Sequence, residues 1–189
     1  SLVGSEMCIR DRLITADEGD DMERAVISGI AFNRDEAKIV VLGVPDHPGI
    51  ASAILSPIGR ANIEVDMIIQ NMSENGVTDF SFTVPRGDFD KAMKILNEQV
   101  KDDIGASDVV GTSDVVKVSI VGVGMRSHAG VASKMFETLA SQNINLQMIS
   151  TSEIKVSVLI KEECLEKAVK SLHTAFGLDR EDGESKVAS

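Results

Sequence analysis

The 189-residue sequence predicts an α+β protein made of two βαββαβ modules, each an antiparallel sheet with its helices on one face. Three observations carry that prediction. Short motifs return in the same order at nearly constant spacing. Within each copy the apolar period alternates between strand-like and helix-like in the order β-α-β-β-α. The composition, 43% apolar and 26% charged, is that of a chain able to bury a core.

The repeat is read directly. Residues 38–44 (Lys-Ile-Val-Val-Leu-Gly-Val) return as 117–123 (Lys-Val-Ser-Ile-Val-Gly-Val). Asp46-His47-Pro48-Gly49-Ile50-Ala51 returns as Ser127-His128-Ala129-Gly130-Val131-Ala132. Asn62-Ile63 followed by Met67-Ile68 returns, 81 residues on, as Asn143-Ile144 followed by Met148-Ile149. Phe89, Ala92 and Leu96 return as Leu165, Ala168 and Leu172. Four matches in one order describe a duplicated unit of about 80 residues.

In the first copy, residues 38–44 form a β-branched run closed by Asp46, Pro48 and Gly49, so a strand ends in a tight turn. Ile50, Ile54 and Ile58, with Leu55 beside them, share one helical face. Pro57 falls inside that helix, where proline costs on the order of 3 kcal/mol unless the helix kinks. Residues 65–70 read as a second strand and 73–76 as a hairpin loop. Phe80, Phe82 and Val84 alternate with Asp79, Ser81 and Thr83, the pattern of a third strand with one buried face. Phe89, Ala92, Met93 and Leu96 mark a second helix, and Val109-Val110 closes the module as a ferredoxin-like split βαβ unit.

The second copy runs out after its last helix, near Phe176, with no closing strand. Residues 25–32 have strand character and no slot in the first copy. An unfilled sheet edge leaves backbone groups unpaired, so the spare strand is expected to complete the second sheet. The expected division is residues 34–113 as a first module, inserted into a second module made of 25–33 plus 114–177. Residues 1–24 read as a disordered leader and acidic linker, of which 1–12 look foreign to the natural product. Residues 178–189 read as a flexible tail.

Thirty acidic against 19 basic residues give a formal net charge of −11. Such a surface repels phosphate backbones and anionic lipid, so neither nucleic acid nor membrane is an expected partner. The absence of Trp and Tyr removes most platforms for base stacking. Cys8 and Cys164 form no disulfide framework and no metal-ligand spacing. Walker loops, dinucleotide fingerprints and zinc patterns are missing too, so no cofactor, no metal and no catalysis by this chain alone are expected. Met67, Met93, Met135 and Met148 read as core filler, and His173 as a surface residue. The overall reading is of a cytosolic protein.

One constellation suggests binding. Each copy places a glycine just before a helix, Gly49 and Gly130, where free first-turn amides and the helix dipole can seat a carboxylate. Asp46, Asp66 and Glu153 are the acids that could hold an ammonium group nearby. A carboxylate seat beside an ammonium seat suits a free amino acid. His47 and His128, equivalent in the repeat, lack a nucleophile or metal partner and read as turn residues.

At family level, four segments carry a resemblance. They are Val44-Pro45-Asp46-His47-Pro48-Gly49, Val65-Asp66-Met67-Ile68-Ile69-Gln70-Asn71, Met125-Arg126-Ser127-His128-Ala129-Gly130-Val131 and Ile149-Ser150-Thr151-Ser152-Glu153-Ile154. They resemble the paired ACT domains of bacterial aspartate kinase, as does Ser28-Gly29-Ile30-Ala31-Phe32, and the likeness covers residues 13–178. It implies either a separate regulatory subunit or a C-terminal fragment, without the ATP-dependent kinase domain. Also implied are a homodimer through the ACT domains and a catalytic subunit or domain as partner, in the cytoplasm. Threonine and/or lysine would bind at ACT interfaces for feedback inhibition in the biosynthesis of lysine, threonine and methionine.

Carried over by residue, the resemblance implies effector contacts at Asp46, Gly49, Ala51, Glu64, Val65, Asp66 and Gln70. From the second copy it adds Val131, Ala132, Asn145, Leu146, Ser152 and Glu153. Ala129 departs from the proline that related chains often carry, which bears on loop rigidity. Ser81 stands at a strand position where relatives carry Thr, which bears on sensitivity. The alternative reading is a purely structural dimerisation module with a degenerate ligand site.

Overall fold

The computed structural model describes residues 26–70, 76–123 and 129–178. Expectations for residues 1–24 and the tail beyond 178, for most of the 73–76 hairpin loop, and for Ser127 and His128 lie outside the described residues. In chain order the elements are β1 (Val26–Pro45), α1 (Ile50–Arg60), β2 (Ile68–Gln70), β3 (Val77–Val84) and a 3₁₀ turn (Arg86–Asp88). Next come α2 (Phe89–Ile95), a π-helical turn (Leu96–Val100), α3 (Lys101–Ile104) and β4 (Asp108–Val123). The described residues finish with α4 (Ala129–Ser141), β5 (Met148–Thr151), β6 (Lys155–Lys161), a 3₁₀ turn (Glu162–Cys164) and α5 (Leu165–Ala175).

The strands form one antiparallel sheet in the order β2-β3-β1-β4-β6-β5. Under the sequence repeat β1 corresponds to β4, β3 to β6 and β2 to β5, so the sheet reads the same from either edge. This is an α+β fold of two ferredoxin-like units, with the helices on one face.

Where four separate runs were expected, at 25–32, 38–44, 109–110 and 117–123, the structure has two long strands. β1 spans 20 residues and β4 spans 16. The early part of β1, Val26 to Asn33, pairs with Lys117 to Val123 of β4, and β4 carries β6 on its other side. The later part of β1, Ala37 to Pro45, pairs with β3. Polar residues such as Asn33, Arg34 and Asp35 interrupt the apolar pattern without breaking the strand, because the register shifts there instead, between Asn33 and Glu36 and between Glu36 and Lys38. A bulge adds one residue to one strand. It lets Ile30 and Ala37, an odd seven residues apart, both face the helices, and does the same for Val109 and Val116 on β4.

Two cores result. The first joins Ile39, Val41, Phe80 and Phe82 of the sheet to Ile54, Ile58, Ala92 and Leu96 of the helices. The second joins Val118, Ile120, Val158 and Ile160 to Met135, Leu139, Ala168 and Leu172. Ile27 and Ile30 pack against the second core although they precede the first in sequence. On the opposite face Met67, Val115, Met148 and Leu159 form a third, smaller cluster to which both halves contribute. Met67, Met135 and Met148 are buried and Met93 half-buried, as the periodicity implies.

Local chemistry explains the repeated Asn-Ile pairs. Asn62 and Asn143 have φ of 58° and 57°, in the left-handed region. Asn62 N–H donates to Gly59 O (2.9 Å) and Ile63 N–H to Ile58 O (3.2 Å); Asn143 and Ile144 repeat this on Ala140 and Leu139. This is a Schellman cap closed by an apolar contact, with Ile63 and Ile144 buried in their respective cores. Pro57 does not end α1, which continues to Arg60. The carbonyl a residue at 57 would have bonded belongs to Ala53, which is exposed. Strand β2 is shorter than the expected 65–70 and begins at Ile68, because the Met67 N–H is taken by the Thr83 hydroxyl (3.1 Å).

Candidate functional site

Ahead of β2 the chain runs alongside β3, with Asp66 N–H donating to Thr83 O (3.2 Å). That path places Glu64, Val65 and Asp66 on the wall of a cleft of about 430 Å³, completed by Asn33, Asp35, Glu36, Val84, Pro85 and Lys117. Four of these residues are acids, so the cleft is negative, and among the described residues Lys117 is the one cation lining it.

Lys117 ties the wall together. Its ammonium lies 2.7 Å from the carboxylate of Glu36, a residue only 3% exposed, and also donates to Asp66. The Asn33 amide donates to the same Glu36 oxygen (3.1 Å). Burial pulls the Lys117 pKa down, but hydrogen bonds to Asp66 and Glu36, with their charges, outweigh it and leave the pKa raised above the usual 10.5. At the corresponding place in the other half, Lys38 donates to the side-chain oxygen of Gln147 (3.3 Å).

Beside the cleft, Arg86 joins the halves a second time. Its backbone N–H donates to Asp35 (2.8 Å), its guanidinium to Val115 O (2.9 Å), and it pairs with Glu162 at 3.0 Å. Arg86 and Glu162 each open the 3₁₀ turn that precedes a helix, so equivalent positions carry opposite charges and meet.

The other predicted positions are dispersed. Gly49 caps α1 with φ of 95°, a conformation that favours glycine. Asp46 is half-buried and its N–H donates to Gly76 O (2.9 Å), while Ala51 packs on the first core. The exposed His47 ring sits 3.1 Å from Pro48 O, consistent with a turn residue. Gln70 is exposed at the end of β2. Val131 is only 8% exposed, in the second core, with Ala132 and Leu146 packed against it and Asn145 exposed. Ser152 closes the β5–β6 turn on Lys155 (2.8 Å), with Glu153 exposed beside it.

Of all these, only Glu64, Val65 and Asp66 share the cleft. The ammonium that Asp66 holds here is that of Lys117. His173, expected at the surface, is half-buried, lining a groove with Phe32, Leu165 and Val169. Sequence reasoning missed Lys117, Glu36 and Arg86. The Lys38/Lys117 match was visible in the repeat, but which acid each lysine meets depends on the strand register. Among the described residues no cluster suited to a metal ion occurs, and no helix is long and apolar enough to cross a membrane.

Comparison with known proteins matches the ACT domain twice, over residues 38–100 and 118–176. The chain belongs to the ACT-domain family. Its paired ACT modules are of the aspartate kinase regulatory type. It is 65% identical over 167 residues to the aspartate kinase of Pseudomonas fluorescens (strain SBW25), covering 88% of this chain and 40% of that protein. The chain thus spans about 40% of the length of the curated relatives it matches. Among solved structures it resembles a chain of the aspartokinase alpha and beta subunits, with 59% identity and a TM-score of 0.75, covering 80% of this chain and 99% of that one. The ligand-free regulatory subunit of aspartate kinase from Thermus thermophilus matches with 39% identity and a TM-score of 0.76, over the same shares.

Proposed function

We propose that this ACT pair is the allosteric regulatory part of an aspartate kinase, binding threonine and/or lysine at ACT interfaces to inhibit aspartate phosphorylation by a catalytic subunit or domain. The observation that carries the reading is the match across 99% of the Thermus thermophilus regulatory subunit. Such a unit works in the cytoplasm, controls the supply of lysine, threonine and methionine, and does not itself transfer phosphate.

The dispersed site residues support a homodimer. Asp46, Gly49, Ala51 and Gln70 lie in one half of the chain and Asn145, Leu146, Ser152 and Glu153 in the other, so pockets built from both sets form between copies. The module division that goes with this reading is residues 34–113 inserted into 25–33 plus 114–177. A single observation favours a purely structural dimerisation module instead: Asp66 is already engaged by Lys117. Titration calorimetry with threonine and with lysine separates the two. Heat or a thermal shift at millimolar ligand is expected, and silence with both amino acids leaves the structural module.

Asp66→Ala is expected to weaken effector binding about tenfold or more while changing stability by less than about 1 kcal/mol, since a half-exposed ion pair contributes little to folding. Wild-type affinity in that variant would remove Asp66 from the site.

A further inference from the structure

The two halves of the chain reach across one another at equivalent points. Lys38 and Lys117 correspond in the repeat, on β1 and β4. Asp66 and Gln147 correspond as well, each just before an edge strand. Asp66 N–H donates to Thr83 O of β3 and Gln147 N–H to Leu159 O of β6. Lys117 grips Asp66 and Lys38 grips Gln147, so each lysine holds the lead into the other half's edge strand. The next residues, Met67 and Met148, are packed in one cluster with Val115 and Leu159. The crossings differ in strength. Glu36 adds a buried carboxylate to the first, whereas Val115, its partner in register, adds no charge to the second.

We propose that Lys117 and Lys38 are positioning residues that bind the leads into β2 and β5 into one unit, so that a ligand seated on either lead is registered by both halves. The ionic crossing is the stronger tie and is sensitive to salt; the neutral one is not. The coupling of the leads stands on geometry alone, and only the ligand clause rests on the effector reading.

Hydrogen exchange on the whole chain, first without ligand, tests the coupling. Glu36→Gln with Lys117→Met removes the pair together, so that no buried charge is orphaned. Exchange is expected to quicken several-fold at 64–68 and also at 145–149, where nothing was changed and Lys38 still holds Gln147. Asp66→Asn, at a half-exposed position that leaves Glu36 and Lys117 paired, is expected to do the same with global stability unaltered. High salt should reproduce part of its effect in the wild type, because the half-exposed Asp66 carboxylate is open to screening while the buried Glu36–Lys117 pair is not. Lys117→Arg should retain the wild-type pattern. Changes confined to 64–68 in both variants would overturn the proposal.

Threonine and lysine then serve as probes. In the wild type the amino acid that binds should slow exchange in both leads, and in the Glu36→Gln/Lys117→Met chain in only one. Slowing of both leads in that chain would overturn the ligand clause. A wild type that responds to neither amino acid refutes the effector reading, while the ligand-free comparison still decides the coupling.

Discussion

Lys117 is the residue whose loss should cost most for its size. Lys117→Met leaves the Glu36 carboxylate buried and unpaired, which should cost about 3 kcal/mol in urea unfolding. Adding Glu36→Gln should return most of that. The folded pKa of Lys117 lies above the unfolded value, so on the alkaline side its contribution is complete below 10.5 and is lost as pH climbs through the raised value. On the alkaline side, stability should therefore fall more steeply for the wild type than for the double variant. Asn62 makes a second test at this scale. In the left-handed region an Ala side chain meets a penalty of about 1 kcal/mol that Gly escapes. Asn62→Ala should lower the melting temperature and Asn62→Gly should leave it nearly unchanged, and Asn143 should behave alike. The asparagines were visible in the sequence as a repeated pair. Their reason, a left-handed cap with an apolar clasp, depends on φ angles that no period reports.

Among the elements, helices were the most legible, because Ile50, Ile54 and Ile58, or Leu165, Ala168 and Leu172, show a face whatever they pack against. Strands 38–44 and 117–123 were legible as apolar runs but their continuity with neighbours was not. Bulges at polar residues break the period of two that identifies a strand. Strand β2 was overestimated for a different reason: a side-chain hydroxyl, that of Thr83, takes the bond that would have extended it. The contact between α2 and β4 gives the prediction at this level. A Cβ on Gly111 would lie 2.7 Å from a Phe89 ring carbon and 2.9 Å from Lys38 O. Gly111→Ala should destabilise the chain by about 2 kcal/mol by pushing the helix off the sheet. Pairing it with Phe89→Leu should recover only part, since the Lys38 carbonyl is backbone and cannot yield. Equal stability of Gly111→Ala and the wild type would show that the helix moves freely there.

At the scale of the whole molecule the duplication announced the architecture, and the surplus strand at 25–32, which pairs with 117–123 of β4, is the basis for expecting the first module to be inserted into the second. What stayed hidden was most of the cleft, in which Glu64, Val65 and Asp66 alone were named beforehand, because Glu36 and Lys117 reach Asp66 only when β1 and β4 run side by side. Truncation tests the chain path. Removing residues 1–24 should leave stability unchanged. Removing residues 1–33 should expose the 117–123 edge of β4, strip Ile27 and Ile30 from the second core, and quicken amide exchange along 115–120 and 154–160. Protection there that survives the longer truncation would mean that the second module is complete without its early strand.

β1 and β4 pass from one core to the other without leaving the sheet. Two-domain proteins usually meet at a loop that swivels, and such a loop absorbs motion on one side before it reaches the other. Here the junction is a pair of hydrogen-bonded strands, closer to a leaf spring than to a hinge. Twist imposed at one end is expected to run along the strands and through their bulges, so a small displacement at either edge should reach the opposite edge as a change of pitch.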